Sequence, residues 1–208
     1  MFLCCKQQIG PQCRPFQEDP VITHEHVLPP GFEAHACAND PWDAAVTAAG
    51  QGCDPATVYW SGTAGRCRAA IVLAPDRAVE ADVLHELGLL TLFDALAVLA
   101  PPQMPLAICR PNVIAVDGAQ AATIRAVQGP LSWAVLGFDV ALHAEHAAPR
   151  ETPEETCLAE EGFGEIAAEE LLSHLCRHLL GWVDAWRDGG AALLSREIAK
   201  REARREAA

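Results

Sequence analysis

Two periods organise the apolar positions of this chain. From Glu80 to Leu99, the residues Val83, Leu84, Leu87, Leu90, Leu96 and Leu99 recur at three- and four-residue spacing, and Pro101-Pro102 ends the run. That spacing predicts a long helix with one buried stripe. Elsewhere the apolar residues come in short β-branched or aromatic runs, which predict strands at Thr57–Ser61, Cys67–Ala74, Met104–Cys109, Ile114–Val116, Ala121–Val127 and Ser132–Leu142. Asp117-Gly118 joins two of these as a tight hairpin. Asp40-Pro41 predicts a helix start, Asp as N-cap and Pro in the first position, with Gly50-Gln51-Gly52 as its stop. Glu165–Trp186 and Gly190–Ala207 read as a C-terminal helix pair. Grouped strands flanked by helices predict an α+β fold with a mixed or antiparallel sheet. Residues 1–30, rich in Pro, Gln and Cys, read as an irregular leader. Residues 31–150 read as the core, and 151–208 as an acidic loop with a helical cap belonging to the same domain.

Composition narrows the function classes. Half of the 208 residues are hydrophobic and 21% are charged, an ordinary globular balance. A net charge of -13 argues against a general nucleic-acid binder, which needs Lys and Arg to neutralise phosphates. The run Val83–Ala100 contains His85, Glu86 and Asp94, each costly in hydrocarbon, so no membrane span is expected. MFLCCKQQIGPQCR lacks the sustained apolar stretch of a signal peptide, which makes the cytoplasm the expected compartment. Nine cysteines show no CxxC pair, and several sit inside apolar runs, as buried thiols do.

Candidate chemistry is sparse. His24-x-His26, His143-x-x-His146 and the pair His174/His178 could ligate a metal, yet no acidic base stands between the last two. No metal site is expected. There is no GxSxG elbow, Walker loop or Rossmann fingerprint. The turn Ser61–Arg68, SGTAGRCR, is small, Gly-rich and basic; it suits either an anion cradle or a plain hairpin turn with an exposed Arg. Eight glutamates crowd Glu151–Glu170, most simply as a solvated loop and first helical turn.

The order of pieces carries more. A strand, a basic turn and a strand ending in Leu-Ala-Pro precede the long helix. Then come Arg110-Pro-Asn-Val-Ile-Ala-Val-Asp-Gly, an apolar strand and Thr156-Cys-Leu-Ala-Glu-Glu-Gly. Over roughly Pro29 to Arg196 this resembles the catalytic domain of the biotin/lipoate protein ligase superfamily, in particular its short bacterial ligase-like branch without a DNA-binding domain. The resemblance implies ATP-dependent activation of a biotin or lipoate-type acid, with Mg, and transfer of the acyl group to a lysine of a biotinyl or lipoyl carrier domain. It also implies a basic loop for the adenylate phosphate, a lysine to steady developing charge and an apolar pocket.

The motifs depart from the pattern. The Gly-Arg-rich loop is reduced to Gly65-Arg66-Cys67-Arg68, and Cys109 stands in the lysine's place in Cys109-Arg110-Pro111-Asn112. Gly-x-Gly-x-Asn appears as Gly137-Phe-Asp-Val-Ala141. The resemblance therefore places Arg66 and Arg68 at the phosphate, and Arg110 and Asn112 beside the reacting carboxylate as the catalytic pair. Gln120, Thr123, Arg125 and Gly137 fall along the acid's pocket. A catalytically inactive relative that binds an acyl ligand or a partner protein is the alternative, and a His/Cys metal-binding protein a distant third. If Arg66, Arg110 and Asn112 converge in one partly apolar pocket, the ligand-binding readings stand; if they diverge, the enzyme reading weakens.

Overall fold

The computed structural model describes residues 28–63, 65–76, 78–130, 133–144 and 154–206. Its strands are β1 (Glu33–Ala36), β2 (Thr57–Ser61), β3 (Arg66–Leu73), β4 (Leu106–Cys109), β5 (Val113–Val116), β6 (Ala119–Gln128) and β7 (Ala134–Ala141). The helices are α1 (Pro41–Gly50), α2 (Ala81–Leu99) and α3 (Ala168–Glu206). All seven strands form one sheet in the order β1-β2-β3-β7-β6-β5-β4. Among the described strands only β1 and β2 pair in parallel. Parallel neighbours need a crossover, and α1 supplies it. The architecture is the mixed sheet flanked by helices that the patterning implies.

Local chemistry explains most boundaries. The Asp40 carboxylate accepts the Trp42 N–H at 3.0 Å, and Pro41 opens α1 as anticipated. Asp117 (φ 46°) and Gly118 (φ 84°) give the hairpin its tight turn, which requires positive φ at both central positions. The C-terminal pair is continuous except at Gly190, whose φ of 68° breaks α3 into two segments. The last helix pair begins at Ala168, not Glu165, and Ile166 is buried in the core ahead of its first turn. The leader through Val27 and the expected strand start at Ser132 lie outside the described residues. The patterning does not reveal β1, whose EAHA offers only alanines to alternate and leaves three of four residues exposed; backbone pairing with β2 holds it.

The sheet has two unlike faces. From β3, Cys67, Ala69 and Ile71 join the large core with α2 and α3, while Ala70 and Val72 join a small one under α1. From β7, Leu136, Phe138 and Val140 take the first side and Val135 the second. The large core also takes Leu171, Leu175, Leu194 and Ile198, so both segments of α3 close over α2. Among the described residues the small core has only Ala45, Ala49, Ala70, Val72 and Val135 as buried members.

Candidate functional site

Strand alternation sorts the chemistry-bearing residues. One register row crosses the sheet as Ser61, Arg68, Asp139, Thr123, Val113 and Cys109. The neighbouring row on the same side runs Tyr59, Ala70, Gly137 and Arg125. Residues paired directly share a face, so Arg68, Thr123, Arg125 and Gly137 all lie on the α1 side, with Arg66 beside them at the start of β3. Gln120 pairs with Ala115 after a bulge and belongs to the same side. Six of the eight residues singled out in the sequence therefore share one face.

Their charges are already matched. Asp139 accepts from Arg66 Nε at 2.7 Å and lies 3.5 Å from Arg68 Nε. Arg125 lies 3.7 Å from an Asp40 carboxylate oxygen, and its guanidinium sits 5.9 Å above the Trp42 ring centre. Trp42 packs directly on Gly137: a β-carbon there would stand 2.6 Å from the ring's Cε3. Glycine is needed at this position for close approach, not for a special φ. The crevice that Asp40, Trp42, Arg68, Arg125, Gly137 and Asp139 enclose holds only about 20 Å³. Small-molecule sites typically hold roughly 300–1,000 Å³.

The other two residues go elsewhere, and the convergence expected of Arg66, Arg110 and Asn112 does not occur. Arg110 donates from Nε to Glu202 at 2.7 Å and from Nη1 to Glu86 at 3.3 Å, which ties the hairpin to α3 and α2 on the opposite side. Burial opposes the Arg110 charge, but its bonds to Glu202 and Glu86 outweigh that and raise its pKa. Glu86 is buried and also accepts the Ser195 hydroxyl at 2.8 Å. Asn112 is spent within the sheet: its Nδ2 donates to the Ile124 carbonyl at 3.4 Å, and its own carbonyl accepts the Ile124 N–H at 2.9 Å. Cys109, in contrast, occupies the α1-side row.

Sequence reading missed Asp139, Trp42 and Asp40, the three residues that fill this face. Asp139 was visible as a charged residue where the motif expects glycine, but its partner Arg66 lies 73 positions away. A simpler signal was available. The whole chain has two lysines, Lys6 and Lys200, so neither the sheet nor its loops can supply one.

The remaining motifs serve structure. Gly65 of the basic turn accepts the N–H groups of Leu142 and His143 at 2.8 and 2.9 Å, and the Arg66 N–H is used by Thr63. Thr156-Cys157-Leu158 is buried and closes the end of the sheet, with Thr156 N–H on Gln120 and Leu158 N–H on Ala141. His174 and His178 stack with centroids 6.5 Å apart. His24, His26 and His146 lie outside the described residues, and among the described ones no group of three or more His, Cys, Asp or Glu could hold a metal. No described helix is long and apolar enough to cross a membrane. Burial pushes the thiols of Cys67 and Cys176 up to about 12, where they act as core residues.

Comparison with known proteins agrees with this fold. A biotin protein ligase-like protein of unknown function from Silicibacter sp. TM1040 superposes with a TM-score of 0.73 at 29% identity, over 84% of this chain and 80% of that one. The biotin protein ligase of Aquifex aeolicus shares the fold at a TM-score of 0.68 and 12% identity, covering 80% and 76% of the two chains. That of Leishmania major, in complex with biotinyl-5-AMP, gives 0.62 and 17%, covering 83% and 81%. No curated protein matches the sequence. The model of the biotin/lipoate A/B protein ligase family matches residues 28–200, and the chain belongs to that family.

Proposed function

We propose that this protein is a catalytically inactive member of its family, a ligase fold that binds a small acyl ligand without activating it. Asp139 carries the reading. Acyl adenylation develops negative charge that preorganised cations must meet. Here a carboxylate of the chain itself already takes Arg66 and stands next to Arg68. No lysine lies between Lys6 and Lys200 to replace them. Trp42 over Gly137 leaves the face too little room for an acid and a nucleotide together. The residues present thus do not fit ATP with Mg. They do leave the outer parts of Arg68 and Arg125, 44% and 55% exposed, for a single carboxylate.

ATP–pyrophosphate exchange in the presence of biotin, lipoate or octanoate tests this directly. The expected result is no exchange above blank with any acid. In thermal-shift measurements an acid alone is expected to stabilise the protein, by about 2.7 kcal/mol at 100 times its dissociation constant, and ATP to add nothing. Exchange above blank overturns the reading. It would favour the second one, an acyltransferase that uses Arg68 and Arg125 after Asp139 swings away, needs ATP and Mg, and hands biotinyl, lipoyl or octanoyl to a carrier-domain lysine. The half-exposure of those two arginines on either side of Gly137 is what favours that alternative.

A further inference from the structure

On the helix side of the sheet, away from the arginine face, two histidines stand at the boundary of α3 between core and solvent. His174 and His178 are four residues apart in the first segment of the helix, ahead of the break at Gly190. Helical residues at that spacing lie one above the other, with β-carbons about 5–6 Å apart. The two rings are near-parallel, 21° between planes, with centroids 6.5 Å apart. Leu171, Leu175 and Leu179 anchor this part of the helix in the large core with essentially no exposure. Both histidines are half-buried, so the backbone beneath them is fixed while the rings reach solvent.

This is the spacing at which two histidines of one helix can share a metal ion. Metal–nitrogen bonds of about 2.1 Å in tetrahedral geometry put such ring centres roughly 5 Å apart. Closing the stack from 6.5 Å asks only for side-chain rotation, because the backbone spacing is already right. The residues between them, Leu175-Cys176-Arg177, hold no carboxylate to act as a base, so the pair suits binding and not metal-assisted hydrolysis. Cys176 is fully buried, and burial pushes its thiol up to about 12, which keeps it from serving as a thiolate ligand. Among the described residues no group of three His, Cys, Asp or Glu could hold a metal, so the other coordination positions fall to solvent. Glu170, one turn before His174, and Arg177, between the pair, bring opposite charges to this stretch and offset each other. Imidazole without oxygen or thiolate partners selects Ni²⁺, Cu²⁺ or Zn²⁺ over Mg²⁺ and Ca²⁺.

We propose that His174 and His178 form a two-imidazole site for a divalent transition-metal ion, independent of anything bound on the arginine face. Calorimetric titration of the full chain with Ni²⁺ tests it by counting equivalents against a variant in which both histidines are Gln. The double variant is expected to bind one ion fewer than wild type, which separates this site from histidines and cysteines elsewhere in the chain. Each single replacement, His174→Gln or His178→Gln, is expected to weaken that equivalent at least about tenfold, because the second ligand no longer acts intramolecularly. Ni²⁺ is also expected to slow modification of these two rings by diethylpyrocarbonate in the wild-type protein, read by mass spectrometry, and excess Mg²⁺ not to reverse the protection. Equal numbers of Ni²⁺ ions on wild type and a double variant of matching circular dichroism overturn the proposal. So does equal modification of the two rings with and without Ni²⁺. A thiolate charge-transfer band that disappears with the two histidines would place a cysteine in the site and overturn it as well.

Discussion

The two faces of the sheet meet their helices on different terms. On one side α2 and α3 bury large side chains, among them Ile71, Leu90, Leu136 and Leu171, with essentially no exposure. On the other side α1 contributes alanines, and the outer part of the face is held by Asp139 between two arginines and by Trp42 against Gly137. Apolar burial at about 25 cal/mol per Å² makes the first face the source of most stability. The second gains little from exposed ion pairs, so its charges are free to change without unfolding the protein. The helix face can therefore hold the fold while the charges on the α1 side of the sheet are rearranged.

The sharpest way to break this comparison is to truncate one large residue on each side. Leu90→Ala is expected to cost about 2–5 kcal/mol in urea unfolding, since its site is closed by core on all sides. Trp42→Ala removes a larger side chain but a half-buried one, and should cost less than about 3 kcal/mol. Equal costs would mean that α1 contributes as much to the core as α2.

Alkali should find the helix face first. Cys67 and Cys176 are held near 12, against an ordinary 9.0, chiefly by burial. An acid whose folded pKa is raised contributes stability that is intact below the unfolded value and is lost as pH rises toward the folded one. Between pH 9 and 12 each thiol should therefore lower stability by about 1.4 kcal/mol per pH unit. Double replacement by Ala or Val should flatten that part of the pH profile. In the native protein at pH 8 both thiols should resist iodoacetamide, as read by mass spectrometry.

How much of this was legible depends on the range of the interaction. The α2 stripe, the Asp40-Pro41 start and the Asp117-Gly118 turn are local, and the sequence states them outright. Strand parity is local too: Ile108 and Cys109 had to face opposite sides, and the structure adds only which side each takes. The partners could not be read. Arg110 finds Glu86 and Glu202 at separations of 24 and 92 residues, and Arg66 finds Asp139 across 73. Nothing in the run around Gly137 says that Trp42 will lie on it. Six of the residues that the resemblance named share the α1 side of the sheet, but what packs on them came from long-range contacts that no short motif encodes.

Gly137→Ala tests that packing. A β-carbon 2.6 Å from the Trp42 ring forces the indole or α1 to move, at an expected cost of about 1–3 kcal/mol. In the background of Trp42→Ala the same change should cost almost nothing, and the non-additivity in a double-mutant cycle measures the contact. Within the other core, Thr91 is fully buried and its hydroxyl has no partner among the described residues. Thr91→Val keeps the shape and removes the unpaired group, so it should stabilise the protein by about 1 kcal/mol.

The smallest effect on stability belongs to the residue on which the proposed function rests. Asp139→Asn breaks contacts to arginines whose side chains are 35% and 44% exposed, so solvent screening limits the loss to less than about 1 kcal/mol. The electrostatic consequence is larger than the structural one. Arg66 and Arg68 lose their internal counter-charge and turn toward an external anion. The variant should bind an acyl carboxylate more tightly than wild type by about three- to tenfold, with the gain shrinking as salt rises, because the arginines are accessible to screening ions. Titration at two ionic strengths reads both. If the variant binds no better at low salt, Asp139 is not what keeps anions from this face, and the steric block by Trp42 over Gly137 must account for the closure alone.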